Sequence, residues 1–149
     1  MALITGDRTV EIDAPLERVY EIAANLDEAP EWQGSLKEVD VLERDDEGRA
    51  TLADTKNDAK VRTVKTRIRF SYPSETRMEW TQEKGELKSV VGWWEFEKLS
   101  AKKTRATYAL EVDPGRVLGM LVRGPVVDQV RNFLLGGAAE GLKRQAEGK

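Results

Sequence analysis

The chain has 149 residues, 24 of them basic and 27 acidic, for a formal net charge of -3. That length suits one ordinary domain, 40% apolar residues suffice for a sizeable core, and the charge offers no global attraction to nucleic acid or an anionic membrane. With no cysteine and no histidine, disulfides, thiolate catalysis, Cys-built zinc sites and every Ser-His-Asp or Cys-His mechanism are excluded.

Met1–Thr9 lacks the apolar stretch of a signal peptide. No run reaches the roughly eighteen apolar residues of a membrane span; the nearest, Val117–Leu135, is interrupted by Arg123, Asp128 and Arg131. A cytoplasmic protein without stable membrane insertion is expected, as a monomer or weak dimer, with no metal and no cofactor.

In chain order, Arg8–Asp13 alternates as a half-buried strand with Val10 and Ile12 on one face. Ala14-Pro15 then starts a helix, in which Leu16, Val19, Tyr20, Ala23 and Leu26 recur at helical spacing. Asp27–Trp32 reads as a second short helical turn. Leu36–Arg44 and Arg49–Thr55 form a strand pair around the turn Asp45-Asp46-Glu47-Gly48, and Asn57-Asp58 is read as the next turn. Val61–Tyr72 carries Val64, Thr66, Ile68, Phe70 and Tyr72 on one face. Thr76–Gln82, Lys88–Leu99 and Thr104–Asp113 continue the pattern with Met78 and Trp80, then Val90, Gly92, Trp94 and Phe96, then Ala106, Tyr108, Leu110 and Val112. Strands joined by short polar turns predict an antiparallel meander, and their segregation from the helices predicts an α+β fold in one domain spanning the chain.

After Pro114-Gly115 comes an apolar-striped stretch, Val117–Gln145. A helix of about thirty residues is roughly 45 Å long and must lie across the sheet. Val126, Val127, Val130, Phe133, Leu134, Ala138 and Leu142 form its stripe. Gly119, Gly124, Gly136, Gly137 and Gly141 each cost about 1 kcal/mol in a helix interior, so they either permit close packing or leave room for a ligand. Gly124-Pro125 predicts a bend or break that makes Val117–Arg123 a separate piece at a cavity mouth.

Val10-Glu-Ile-Asp-Ala-Pro15, then Val19-Tyr20 and Pro30-Glu31-Trp32, resembles the opening of polyketide cyclase/dehydrase-like (SRPBCC) members of the START/Bet v 1-like superfamily. Gly92-Trp93-Trp94-Glu95-Phe96 with Thr104-Arg105-Ala106-Thr107-Tyr108 resembles that family's penultimate strand pair, and the terminal helix ending in Gly141-Leu142-Lys143 fits it too. The resemblance implies a helix-grip fold: a seven-stranded antiparallel sheet wrapped around the long C-terminal helix, with two short helices between strands 1 and 2. It also implies a cavity for a lipid, polyketide, quinone or sterol-like molecule. It does not imply one chemistry, because a fold hosts many functions.

On strand parity, the expected cavity face carries Val39, Val41, Leu52, Phe70, Tyr72, Met78, Trp80, Trp94, Phe96, Tyr108 and Leu110, joined by Val130, Phe133 and Leu134 of the helix. Asp54 shares the parity of Leu52; buried there, its pKa would rise and it would become a candidate acid or base. Tyr72 and Tyr108 are candidates to orient a carbonyl or phenol oxygen, with Thr66 a lesser one and Arg62 the one cation of inward parity. Family cyclases place an arginine and polar side chains in the pocket; Arg67, Arg69 and Arg77 fall on the outward parity, and no such constellation emerges. The six cations of Lys56–Arg69 read as a solvated face, because no aromatic residue interleaves them as a nucleic-acid platform requires. The expected function is binding of a small hydrophobic ligand. The alternatives are a polyketide cyclase/dehydrase-like enzyme and a protein-interaction module of the coenzyme-Q-biogenesis or ribosome-associated kind.

Overall fold

The computed structural model describes residues 3–148. Alternating burial builds β1 (Ile4–Ile12), β2 (Leu36–Arg44), β3 (Ala50–Asp58), β4 (Thr63–Ser74), β5 (Arg77–Gly85), β6 (Ser89–Ser100) and β7 (Lys103–Asp113). They form one antiparallel sheet in the order β1-β7-β6-β5-β4-β3-β2. The first connection crosses from one edge strand to the other through α1 (Leu16–Ala24) and a 3-10 helix (Leu26–Glu31). From β2 the chain meanders back, and β7 closes on β1. This is the expected helix-grip arrangement.

The sheet is two-sided in chemistry. On β4, Val64, Thr66, Ile68 and Phe70 are buried. Their neighbours Lys65, Arg67 and Arg69 point away, and many cations of that outer face are ion-paired, with Arg67 Nε 2.7 Å from Asp54 Oδ1 and Arg69 Nη2 2.7 Å from Glu83 Oε2. Exposed pairs of this kind contribute about 0–1 kcal/mol each. The burial on the concave face is what holds the fold.

The C-terminal stretch is two helices: α2 (Gly115–Leu121) and α3 (Pro125–Ala146). The expected thirty-residue helix is thus corrected to 22 residues, about 33 Å long. Gly124, at φ +64° and ψ −139°, takes a backbone conformation that side chains with a Cβ avoid. Pro125 then occupies the first turn of the new helix, where its missing N–H costs nothing.

Of α3, Val130, Ala138 and Leu142 are fully buried. A Cβ at Gly141 would stand 2.0 Å from the Trp32 carbonyl oxygen, so this glycine lets α3 meet the segment after the 3-10 helix. Close packing is therefore the reading the structure supports there. The Arg18 guanidinium donates to the Ala146 carbonyl at 2.9 Å, satisfying one orphan acceptor at the helix end. The buried Thr104 hydroxyl donates to the Ala14 carbonyl at 2.8 Å, fixing the turn from β1 into α1.

Strand limits differ from expectation at several ends: β4 starts at Thr63 and runs on through Pro73 to Ser74, and β5 runs on to Gly85. β1 begins at Ile4, pairing with Val112. β3 runs through Asn57 to Asp58, and the turn follows at residues 59–62, with Lys60 at φ 70°.

Candidate functional site

The concave face, the short helices and the start of α3 enclose a cavity of about 130 Å³. Its aromatic wall is Phe70, Trp80, Trp94 and Tyr108. Trp80 and Tyr108 have ring centroids 5.5 Å apart, and Trp94 and Tyr108 4.7 Å. Ile68, Met78 and Leu110 extend this wall, while Val130 and Leu134 of α3 face it. Leu26, Ala29 and Leu36 close one side. At the end carrying the β3–β4 and β5–β6 turns, Ala59, Leu87, Leu118 and Val122 form the rim.

Polar groups enter at two places. On β3 and β4, Thr55 and Thr66 are cross-strand partners with their hydroxyl oxygens 2.7 Å apart. The Asn57 amide donates to the Thr55 hydroxyl at 3.0 Å. Both threonines are 5% exposed, so this relay is shielded from bulk water. Gln33 and Ser35 follow the 3-10 helix and line the cavity too, Ser35 beside the end of β3, where its carbonyl accepts from the Asp58 N–H at 2.7 Å, and Gln33 near the Tyr108 hydroxyl. Burial drives the Tyr108 hydroxyl well above the ordinary tyrosine range, and the nearby Gln33 side chain pulls it only part of the way back. Among the described residues lining the cavity there is no Asp, Glu, Lys or Arg.

Several expected positions lie elsewhere. Asp54 and Leu52 pair with Arg67 and Arg69, on the convex side. Asp54 is half-exposed, and the Arg67 guanidinium holds its carboxyl below the usual carboxylate range, the opposite of the raised value a buried acid would show. The inward residues of β3 are Ala53, Thr55 and Asn57. Parity misled here because the inward set is small or polar while Leu52 is apolar and outward. Irregularities between Val41 and Glu43 and between Glu43 and Arg44 break the β2–β3 alternation further.

Tyr72 points to the far end of the sheet, donating to the Ala50 carbonyl at 2.7 Å with the Arg49 guanidinium 4.3 Å from its ring centroid. Its hydroxyl is likewise raised by burial, with Arg49 opposing the shift. Phe96 stacks on Trp94 at 5.7 Å and meets Tyr20 edge-on at 5.8 Å, as core beyond the cavity. Val39 and Val41 pack against the core from β2 without lining the cavity. Phe133 lies under the Lys60 ammonium, 4.1 Å from its ring centroid. Arg62 is exposed and paired with Glu86 at 2.7 Å.

Sequence reasoning missed Gln33, Ser35, Thr55 and Asn57. The first two sit on irregular backbone without periodicity. Asn57 reads as a turn from sequence because Asn-Asp is a turn dipeptide by composition.

Residues 4–147 match the family described as polyketide cyclase / dehydrase and lipid transport. The chain belongs to that family. Other members of its structural class give the same architecture. A START superfamily protein from Mycobacterium smegmatis superposes with a TM-score of 0.84 at 20% identity, over 97% of each chain. A protein of Thermus thermophilus gives 0.81 at 19%, over 95% of this chain and 96% of that one. The Zhui aromatase/cyclase from a Streptomyces species gives 0.71 at 16%, over 98% and 94%. A search of curated proteins found no match to this sequence. At these identities the chain shares a fold with its neighbours, and its own cavity must supply the functional argument. Among the described residues no helix is long and apolar enough to cross a membrane.

Proposed function

We propose that this protein binds a small hydrophobic molecule in the cavity between sheet and α3. The observation that carries the reading is the cavity itself: four aromatic rings, an apolar rim, and polar atoms confined to two spots. Ligand sites combine apolar walls with a few placed polar groups in this way. The volume sets a scale. About 130 Å³ is close to the roughly 150 Å³ of an engineered cavity that takes benzene, and below the roughly 300–1,000 Å³ of drug-sized sites. The shape described here therefore suits a ligand of about one ring, and a larger one requires the rim to open.

Binding is favoured over turnover. A cyclase/dehydrase-like reaction needs a group that takes a proton near neutral pH. Tyr108 is the one lining residue among those described with an ionisable side chain, and burial moves it away from neutrality. The family description and the aromatase/cyclase neighbour keep the enzymatic reading as the second one, with positioning as its main contribution.

Thermal shift and tryptophan fluorescence with a panel of neutral aromatic and lipid-like ligands test the proposal. Binding should raise the melting temperature and perturb the emission of Trp80 and Trp94, and Trp80→Ala should weaken it. A panel in which no apolar ligand stabilises the protein would sink the reading.

A further inference from the structure

We infer that the Asn57–Thr55–Thr66 relay is an anchoring subsite for an uncharged oxygen group, so that the cavity selects neutral ketones, phenols or alcohols and rejects carboxylates. The inference rests on the cavity-binding reading and specifies its ligand class.

The chemistry follows from counting hydrogens. The Asn57 amide donates one hydrogen to the Thr55 hydroxyl at 3.0 Å. Thr55 has a single hydroxyl hydrogen and two acceptors within reach: the Thr66 hydroxyl at 2.7 Å and the Thr66 carbonyl at 3.4 Å. If Thr55 donates to the Thr66 hydroxyl, the Thr66 hydrogen is left to donate to a ligand. If Thr66 donates to Thr55 instead, its own lone pairs stay free to accept. One relay therefore serves a carbonyl or a hydroxyl by reversing a proton order, without moving a heavy atom. Both threonines line the cavity and are almost fully buried, so an oxygen placed there competes little with water.

The same walls disfavour charge. A carboxylate entering a cavity with no cation among its described lining residues loses its hydration without gaining a counter-ion. The cations next to the relay in sequence, Lys56, Lys65 and Arg67, are on the opposite parity of β3 and β4, with Lys56 2.8 Å from Glu38 and Arg67 2.7 Å from Asp54. They cannot neutralise a buried anion without breaking the strand register.

The test uses three one-ring probes of matched shape: acetophenone, isopropylbenzene and benzoate, by calorimetry at pH 7. Acetophenone should bind about five- to ten-fold tighter than isopropylbenzene, as one net hydrogen bond provides, and roughly a hundred-fold or more tighter than benzoate. Thr66→Val should abolish the advantage of acetophenone while sparing isopropylbenzene, and Tyr108→Phe should leave the ratio intact. The carbonyl stretch of bound acetophenone should move to lower frequency in the wild-type protein, a readout independent of whether the Thr66 variant folds. Benzoate binding as well as acetophenone, a ratio that survives Thr66→Val, or an unshifted carbonyl band would each overturn the subsite while leaving the cavity as a binding site. Failure of all three probes would overturn the cavity reading and the subsite with it.

Discussion

Trp80 and Gly92 face each other across β5 and β6, and a Cβ on residue 92 would stand 2.4 Å from the Trp80 indole. The glycine is the floor on which a cavity-lining ring lies. Gly92→Ala must push that ring toward Phe70 and Tyr108, whose centroids are already 6.4 and 5.5 Å away. Overpacking of this kind costs about 1–3 kcal/mol. The expected outcome is a lower melting temperature together with weaker ligand binding, because the displaced indole occupies cavity space. Calorimetry with and without ligand checks it, and a variant as stable and as competent as wild type would show that the indole is not held against residue 92.

Two glycines of α3 should respond oppositely to the same substitution. At Gly137 the nearest atoms to an added Cβ are 3.7 Å away, an ordinary contact, so Gly137→Ala gains up to about 1 kcal/mol of helix propensity. At Gly141 the added Cβ meets the Trp32 carbonyl oxygen at 2.0 Å, and a helix or a main-chain segment must move. Gly141→Ala should lower stability by roughly 2 kcal/mol or more. For a chain of this size each kcal/mol is worth about 2–4 °C in melting temperature, so the two variants should separate by several degrees. Matching melting temperatures would contradict the close approach of α3 to Trp32.

How far the sequence could be read depends on where large side chains fall. On β4 through β7 most bulky residues share one face, Trp93 being the exception, so alternation alone placed Phe70, Met78, Trp80, Trp94, Tyr108 and Leu110 on the cavity. The Ala-Pro start of α1, the order of the strands and the break at Gly124-Pro125 were legible for the same reason: each is local. β3 was not. Its inward positions Ala53, Thr55 and Asn57 are less hydrophobic than the outward Leu52, and the bulged pairing with β2 hides the phase. The polar relay was therefore invisible, since no local pattern says that Asn57 continues a strand. Contacts between distant segments, such as Gly141 against Trp32, have no sequence signature at all.

Asp54→Asn should leave ligand binding unchanged. The carboxylate lies on the convex face in a two-bond contact with Arg67, at 2.7 and 3.1 Å. That pair holds its carboxyl below the usual range. Its stabilisation is present above the unfolded-state pKa near 3.9 and is lost as pH falls through the lower folded value. Both partners are partly exposed, so solvent screening keeps the effect small. Urea denaturation of wild type and variant should differ slightly at pH 7 and converge in strong acid. Loss of ligand affinity in Asp54→Asn would place the residue at the site after all.

Tyr72 and Tyr108 predict the alkaline limit of the fold. Burial raises both hydroxyls above the ordinary tyrosine value, so the folded state holds protons that the unfolded state releases near pH 10. Stability from these groups is complete below about pH 10 and declines as pH rises above it, at up to about 1.4 kcal/mol per pH unit for each group. Denaturant titrations between pH 8 and 11 should show this slope, and Tyr108→Phe should flatten it. Ligand affinity should stay constant over the neutral range, because no described lining residue changes charge there. An affinity that varies between pH 6 and 8 would count against a cavity lined by uncharged groups.

Leu118→Ala should convert a one-ring cavity into a larger one. Leu118 of α2 and Val122 just after it contribute inward side chains to the cavity rim, while Val117, Met120 and Leu121 are 74%, 64% and 51% exposed. The helix is thus held on one side only, and the residue after it that redirects the chain, Gly124, has open space around it. Truncating Leu118 removes rim packing at a cost of about 2–3 kcal/mol, the low end for a leucine whose surroundings can relax. The vacated volume adjoins the cavity, so a two-ring ketone such as 1-tetralone should gain affinity relative to acetophenone. The two effects are coupled: bound two-ring ketone should restore part of the lost melting temperature, since a ligand that fills the space binds only the folded state. Equal changes in affinity for one- and two-ring probes would mean that Leu118 does not limit cavity size, and that the ceiling on ligand volume lies with the aromatic wall instead.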